Sequence, residues 1–254
     1  MKQNTIYKYQ LLDHRNGVLI FCAIILAIII FIPAQITYSE ALSKSYESTR
    51  IAGIDMASAV FLFICGLVSF KECFLFALQN GISRKSLFKT RLYVTVTLAV
   101  TLALFSLFLL TLGAFIEASS TGISYSSLLS MIYPATGILQ SSGPFEYLNN
   151  FLFLTVLLTA AQALGYLITV ALYRMNRKQK ITYIVGFYIL FFVILPVIDM
   201  FISGQISTIL LKFLDLSMGI SAQNPFIGMF SLTIFAIIVT GSTWLLIRNA
   251  EVKN

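Results

Sequence analysis

Charge is the scarcest feature of this sequence. Asp, Glu, Lys and Arg make up 11% of its 254 residues, while 58% are hydrophobic; a soluble domain carries about 25% charge. So little polar surface cannot hide that much Phe, Leu and Ile. A soluble globule is excluded, and an integral membrane protein is the default. Histidine is as scarce: the single His14 rules out an HExxH zinc motif, which needs two. Lying ahead of the first apolar run, His14 is expected to be solvated or interfacial. Neither a GxxxxGK(S/T) phosphate loop nor a GxSxG nucleophile elbow occurs, so no familiar machinery for hydrolysing nucleotides or esters is present. Cys22, Cys65 and Cys73 stand at no metal or redox spacing; they read as small apolar fillers, not as a disulfide framework.

What the chain does have is apolar runs. A bilayer core about 30 Å thick takes roughly 20 residues of helix, and lipid forces the backbone to pair with itself. The runs at 17–33, 51–70, 92–115, 151–173, 181–201 and 225–247 therefore predict an all-α polytopic membrane protein with six transmembrane helices, its membrane domain covering 17–247. The first run is longer than the apolar core of a signal peptide, and Pro33-Ala34-Gln35 is a poor cleavage site, so it is expected to stay as a helix. Residues 1–16, 71–91, 174–180 and 248–254 hold 14 of the 17 Lys and Arg; 34–50, 116–150 and 202–224 hold only Lys44, Arg50 and Lys212. The positive-inside rule puts the first set, and both termini, in the cytoplasm, beside anionic lipid. That placement accounts for the net charge of +7 without nucleic acid.

Residues 1–16 are too few for a domain. Ile6, Tyr7, Leu11 and Leu12 can share one side, which predicts a short interfacial helix. The outer stretches 116–150 and 202–224 read either as a lid over a pathway or as plain connectors. Lys212 and Asp215 stand three apart in ILLKFLDL, as on a surface helix. Ala160, Ala161, Ala163 and Gly165 suit close helix approach, within the chain or at a dimer seam. Pro196 predicts a kink in the fifth run. Asp55, Gln162 and Asp199 are the candidates for a polar pathway, because a polar group inside a span is a functional hypothesis by default; for the two aspartates an interfacial cap is the alternative.

The cytoplasmic piece 71–91 reads KECFLFALQNGISRKSLFKTR. Its first half continues as a helix with Phe74, Leu75 and Leu78 on one side. Asn80-Gly81 ends that helix, since Gly accepts the left-handed position after a helix. Ser83 can cap the next one, which opens with Arg84, Lys85, Lys89 and Arg91 at the inner surface. Such a helix–turn–helix could carry a push from a soluble partner that offers an apolar groove and acidic groups; the plainer reading is a positively charged anchor at the headgroups.

This stretch resembles the loop between the second and third spans of type 2 ABC-transporter permeases, the bacterial exporter family. The match lies in Phe74, Phe76, Gly81, Ser83, Arg84, Lys85 and Phe88, and the six-span layout with both termini inside is similar as well. The resemblance implies a permease subunit of an ATP-driven exporter in a bacterial cell membrane. A second permease chain, identical or related, and two copies of a separate ATPase would complete it. ATP and Mg would sit on that partner, and no cofactor on this chain. Coupling would run through 71–91, Leu78 included, with a second contact at Arg174, Arg177, Lys178 and Lys180. The cargo would be hydrophobic or amphipathic: a peptide, an antibiotic or a lipid. The long Ser-rich stretch at 116–150 departs from the polysaccharide and drug exporters of that family and leaves the cargo open. The other readings are an ion-coupled carrier and a non-transport membrane anchor of a larger complex. A membrane enzyme would need paired Glu/His or Ser/His at depth, which the runs lack.

Overall fold

The computed structural model describes residues 2–43, 49–119, 123–134 and 144–248. In chain order these form α1 (Lys2–Ser43), β1 (Thr49–Ala52), α2 (Ile54–Val68), α3 (Lys71–Gln79), α4 (Arg84–Ser119), β2 (Ile123–Ser126), α5 (Leu128–Ile132), α6 (Pro144–Arg174), α7 (Arg177–Ile189), α8 (Leu195–Phe201), α9 (Gln205–Met218) and α10 (Pro225–Arg248). Among the described residues five helical stretches are long and apolar enough to cross a membrane: Asn4–Phe31, Arg84–Ala118, Pro144–Arg174, Arg177–Phe201 and Pro225–Arg248. The pair α2 and α3, bent by 42°, makes a sixth candidate. The protein is thus an α-helical bundle of the kind that a multi-span membrane protein forms.

The helices start and stop elsewhere than the apolar runs do. Residues 2–16 do not form a helix of their own: α1 runs unbroken from Lys2 past Gly17 and Pro33 to Ser43. Ile51 and Ala52 leave the second span for β1, which pairs in parallel with β2 from Thr49 opposite Ile123 to Ala52 opposite Ser126. This small sheet is a local addition to a fold that is otherwise all-α among the described residues. The 15 residues of α2 rise only about 22 Å, less than a bilayer core, which is why α3 is needed to complete that crossing. In the fifth run a π-helical turn at Leu190–Ile194 joins α7 to α8. It lies just before Pro196, whose missing N–H and ring clash disrupt the preceding turn.

The centre of the bundle is α2, α4 and α6, with α1 against α4 and α10 against α6. The closest approach is between α2 and α6. A Cβ on Gly66 would lie 2.4 Å from the Gln162 carbonyl oxygen, and one on Gly165 would lie 2.2 Å from that of Phe63. Both glycines are therefore required by contact with backbone, so Gly165 serves packing within the chain. In lipid such packing takes the place of the hydrophobic effect between helices. Neither α7 nor α8 buries a residue, and α9 packs on α10.

Pieces that the charge count assigns to one side meet at one end. Tyr9 stacks on Phe76 with ring centroids 4.4 Å apart. Ile6, Phe74, Tyr173 and Ile247 share one buried cluster, and Arg84 Nη1 donates to the Arg248 carbonyl at 2.7 Å. At the other end the Leu128 N–H donates to Asp55, Tyr125 Oη to the Ile29 carbonyl and Tyr133 Oη to the Met218 carbonyl.

Gly165→Leu should drive a side chain into the α2 backbone and cost about 1–3 kcal/mol or more, lowering the unfolding temperature in detergent. Gly241→Ala, whose added Cβ meets nothing within 4 Å, should leave it unchanged or raise it. Equal effects would show that the α2–α6 crossing is not close-packed.

Candidate functional site

The buried face of α4 repeats at 87, 91, 94 and 98: Leu87, Arg91, Val94 and Leu98. The 4-3-4 spacing is one stripe of a helix, and it carries a basic residue into the core. Arg91 is 3% exposed, not at the headgroups as its basic neighbours suggest. Lys85 and Lys89, off the stripe, are exposed.

Three other helices supply its surroundings. From α1, His14 Nε2 lies 3.4 Å from Arg91 Nη1 and 3.1 Å from Ser69 Oγ. Facing a guanidinium, Nε2 is an acceptor, so the neutral ring carries its proton on Nδ1. From α6, Gln162 satisfies both neighbours with one amide orientation: its oxygen accepts from Arg91 Nη2 at 3.1 Å, and its nitrogen donates to the Thr95 carbonyl at 3.3 Å. The Tyr166 ring lies 4.8 Å from the guanidinium carbon, a cation–π distance. Beside them Gln10 Nε2 donates to Cys73 Sγ at 2.8 Å. Arg91 makes no ion pair among the described residues, and Arg91 Nε and Gln10 Oε1 have no partner there. An arginine held away from water in a membrane is costly, and its presence is a functional signal.

His14 is thus buried, against the expectation of a solvated residue. The reason lies in spacing: Ile6, Gln10 and His14 stand four apart on the side of α1 that packs inward, while Leu12 is exposed. The buried stripe is largely polar, so a search for an apolar side selects its neighbours.

A second polar cluster lies at the other end of the same helices. Asp55 of α2 is buried; it accepts from Ser106 Oγ of α4 and, at 2.9 Å, from the N–H of Leu128, which fixes the start of α5. A cavity of about 30 Å³ is lined by Asp55, Ser106, Tyr125, Ser126, Ser127 and Asn150. It can hold a water. Ser126 Oγ and both amide atoms of Asn150 have no partner among the described residues. Burial pushes the Tyr125 phenol above its ordinary range, and its hydroxyl donates to the Ile29 carbonyl. Arg91 and Ser106 are 15 residues apart on α4, about 22 Å, so the buried cation and the buried carboxylate do not neutralise each other.

The three pathway candidates separate accordingly. Gln162 belongs to the Arg91 cluster and Asp55 to the opposite one. Asp199 joins neither: its Oδ1 accepts from the N–H groups of Ile206 at 2.8 Å and Ser207 at 3.1 Å, capping α9.

The 71–91 element folds as a helix, a turn and a helix. Gly81 takes φ +66° in the turn, and Ser83 Oγ accepts from Ser86 N–H at 3.3 Å. Its apolar residues face the bundle more than the turn alone suggests. Phe74 is fully buried, which leaves it no surface for a partner. Phe76 and Leu78 are half-buried, and Phe88 packs on Trp244 with centroids 5.1 Å apart. Of the second set, Arg174, Arg177 and Lys178 are exposed and Lys180 is half-buried.

Asp55→Ala should release Ser106 and the start of α5 together, costing about 1–3 kcal/mol and opening 123–134 to added protease. Asp199→Ala should have the smaller effect on thermal unfolding. The reverse order would contradict the assignment of Asp55 as the outer tie. Comparison with protein-family models, curated proteins and solved structures gives no match to this chain, so the functional reading rests on these residues and their geometry.

Proposed function

We propose that this chain is the membrane permease of an ATP-driven exporter in a bacterial cell membrane, driven by a separate ATPase at the end where α1, α3, α4 and α10 meet. One observation carries the reading: the α3–α4 turn is fastened to most of the bundle. Phe74 is in one core with residues of α1, α6 and α10. Arg84 is bonded to the end of α10, and Phe88 rests on Trp244. A displacement of this turn moves four helices together. What remains exposed on it is Lys71, Glu72, Gln79, Asn80, Gly81, Ser83, Lys85 and Lys89, a mainly basic rim suited to an acidic groove, with Phe76 and Leu78 as the partly open apolar contacts. Arg177 and Lys178, exposed at the start of α7, extend the basic surface. The charge count sets this end and both termini in the cytoplasm.

The complex would contain two permease chains and two ATPase subunits holding ATP and Mg, and the cargo would be hydrophobic or amphipathic. The Asp55 cavity favours a second reading, an ion-coupled carrier, in which that carboxylate would take the ion.

Gentle extraction of the tagged chain followed by intact-complex mass spectrometry should find two ATPase subunits on two permeases. Lys85→Glu with Lys89→Glu should weaken that association at least tenfold without changing the unfolding temperature, while Phe74→Ala should cost about 3 kcal/mol of stability or more and lower the unfolding temperature. A chain that purifies without any ATPase, with flux that follows a proton or Na⁺ gradient, would favour the carrier instead.

A further inference from the structure

Arg91 also lines a second small cavity, to whose wall His14 does not belong. It measures about 40 Å³ between α4, α6 and α10, and its polar wall is Arg91, Thr95, Thr159, Tyr166, Thr240 and Thr243. Phe88, Thr159 and Thr240 belong equally to the wall of an open furrow of about 490 Å³, which continues past Ala236, Ile237, Gly241 and Trp244. The furrow runs from Thr233 to Trp244 along α10, about 16 Å of helix. It opens on the side of the bundle, where its neighbours Ile234, Ile238 and Leu245 are exposed. That is a lipid-facing surface, not the polar end.

We infer that this furrow binds an amphiphile with an anionic headgroup, the apolar body lying along α10 and an anionic oxygen meeting Arg91. Charge complementarity selects the headgroup: a buried guanidinium that has no ion pair among the described residues, its Nε lacking an acceptor there, borders a cavity with room for an oxygen atom. The hydroxyls add donors. Thr159 and Thr243 spend theirs on carbonyls of their own helices, at 2.7 and 2.8 Å. Those of Thr95 and Thr240 have no partner among the described residues and stay free to donate. Charge-assisted bonds from a desolvated arginine to an anionic oxygen are strong, and Phe88, Ile237 and Trp244 give the tail an apolar wall. A soluble anion would gain the first contact but not the second, and it would have to reach the site through hydrocarbon. As a loading site for exported cargo the furrow rests on the exporter reading; as a binding site it does not.

Trp244 is the only tryptophan and lines the furrow, so its fluorescence reports occupancy. The full chain is reconstituted in phosphatidylcholine vesicles containing, at equal mole fraction, either phosphatidic acid or phosphatidylcholine with brominated acyl chains, which quench on contact. Brominated phosphatidic acid should quench several-fold more. Arg91→Gln should bring the ratio to about one. Gly241→Phe should do the same with Arg91 intact, since its side chain grows into open space and fills the furrow; it keeps the test valid if the arginine variant misfolds. Lys8→Gln with Arg15→Gln, which removes exposed charge from α1, should keep the preference. Equal quenching by the two lipids overturns the proposal. So does a preference that survives Gly241→Phe, or one lost as fully in the Lys8 and Arg15 variant. No ATPase is present in this assay, so its failure and the failure of the exporter reading are separate results.

Discussion

A guanidinium taken out of water has to be surrounded, and the arrangement of one end of this bundle follows from how Arg91 is surrounded. A single helix cannot do it. His14 comes from α1, Ser69 from the end of α2, Gln162 and Tyr166 from α6. For His14 to arrive there, α1 must continue as a helix well before its apolar stretch begins, which is what brings Ile6, Gln10 and His14 into the core. Once α1 is in place, Ile6 closes over Phe74 and Tyr9 over Phe76, and the α3–α4 turn is held. The polar network and the apolar cluster next to it therefore support the same geometry, and a change at either is felt by the other.

The opposite end is organised by a carboxylate in the same way. Asp55 joins α2, α4 and the short helix α5, and the rise of α4 sets the distance between the two ends. With no ion pair between them, each charge is left to local hydrogen bonds. That leaves two places where an ion or an ionic ligand gains from entering. The Arg91 site opens sideways along α10, whereas the Asp55 cavity is small and lies beneath the β1–β2 pair.

The sequence disclosed those parts that lipid dictates. An apolar run near twenty residues has few alternatives to a helix, so the runs at 92–115, 151–173 and 225–247 lie inside α4, α6 and α10. The distribution of Lys and Arg grouped segments that do share one end. Ser83 and the basic run after it marked the start of α4 at Arg84, but other helix ends were less legible: α6 begins at Pro144, where polar residues continue the helix ahead of the apolar stretch. The β1–β2 pair left no signal, since TRIA and ISYS are four residues each and their pairing spans some seventy positions. Arg91 was readable but was masked by company: the 87-91-94-98 stripe places it inward, yet beside Arg84, Lys85 and Lys89 it reads as one more anchor. Gln10 and His14 were hidden more deeply, because a buried stripe that is polar cannot be found by looking for hydrophobicity. Within 116–150, residues 120–122 and 135–143 lie outside the described residues, and the choice between lid and connector there stays with the sequence.

The claim on which this account stands is that the basic end is a folded core around a buried arginine, not a set of headgroup anchors. Hydrogen–deuterium exchange of the full chain in lipid nanodiscs tests it most directly. The account predicts that amides of 4–16 exchange as slowly as those of 87–98 in the wild type, and that Arg91→Gln speeds exchange in 4–16 while leaving 123–134 unchanged. Rapid exchange across 4–16 in the wild type, indifferent to Arg91, would mean that this segment lies free on the membrane surface and would contradict it.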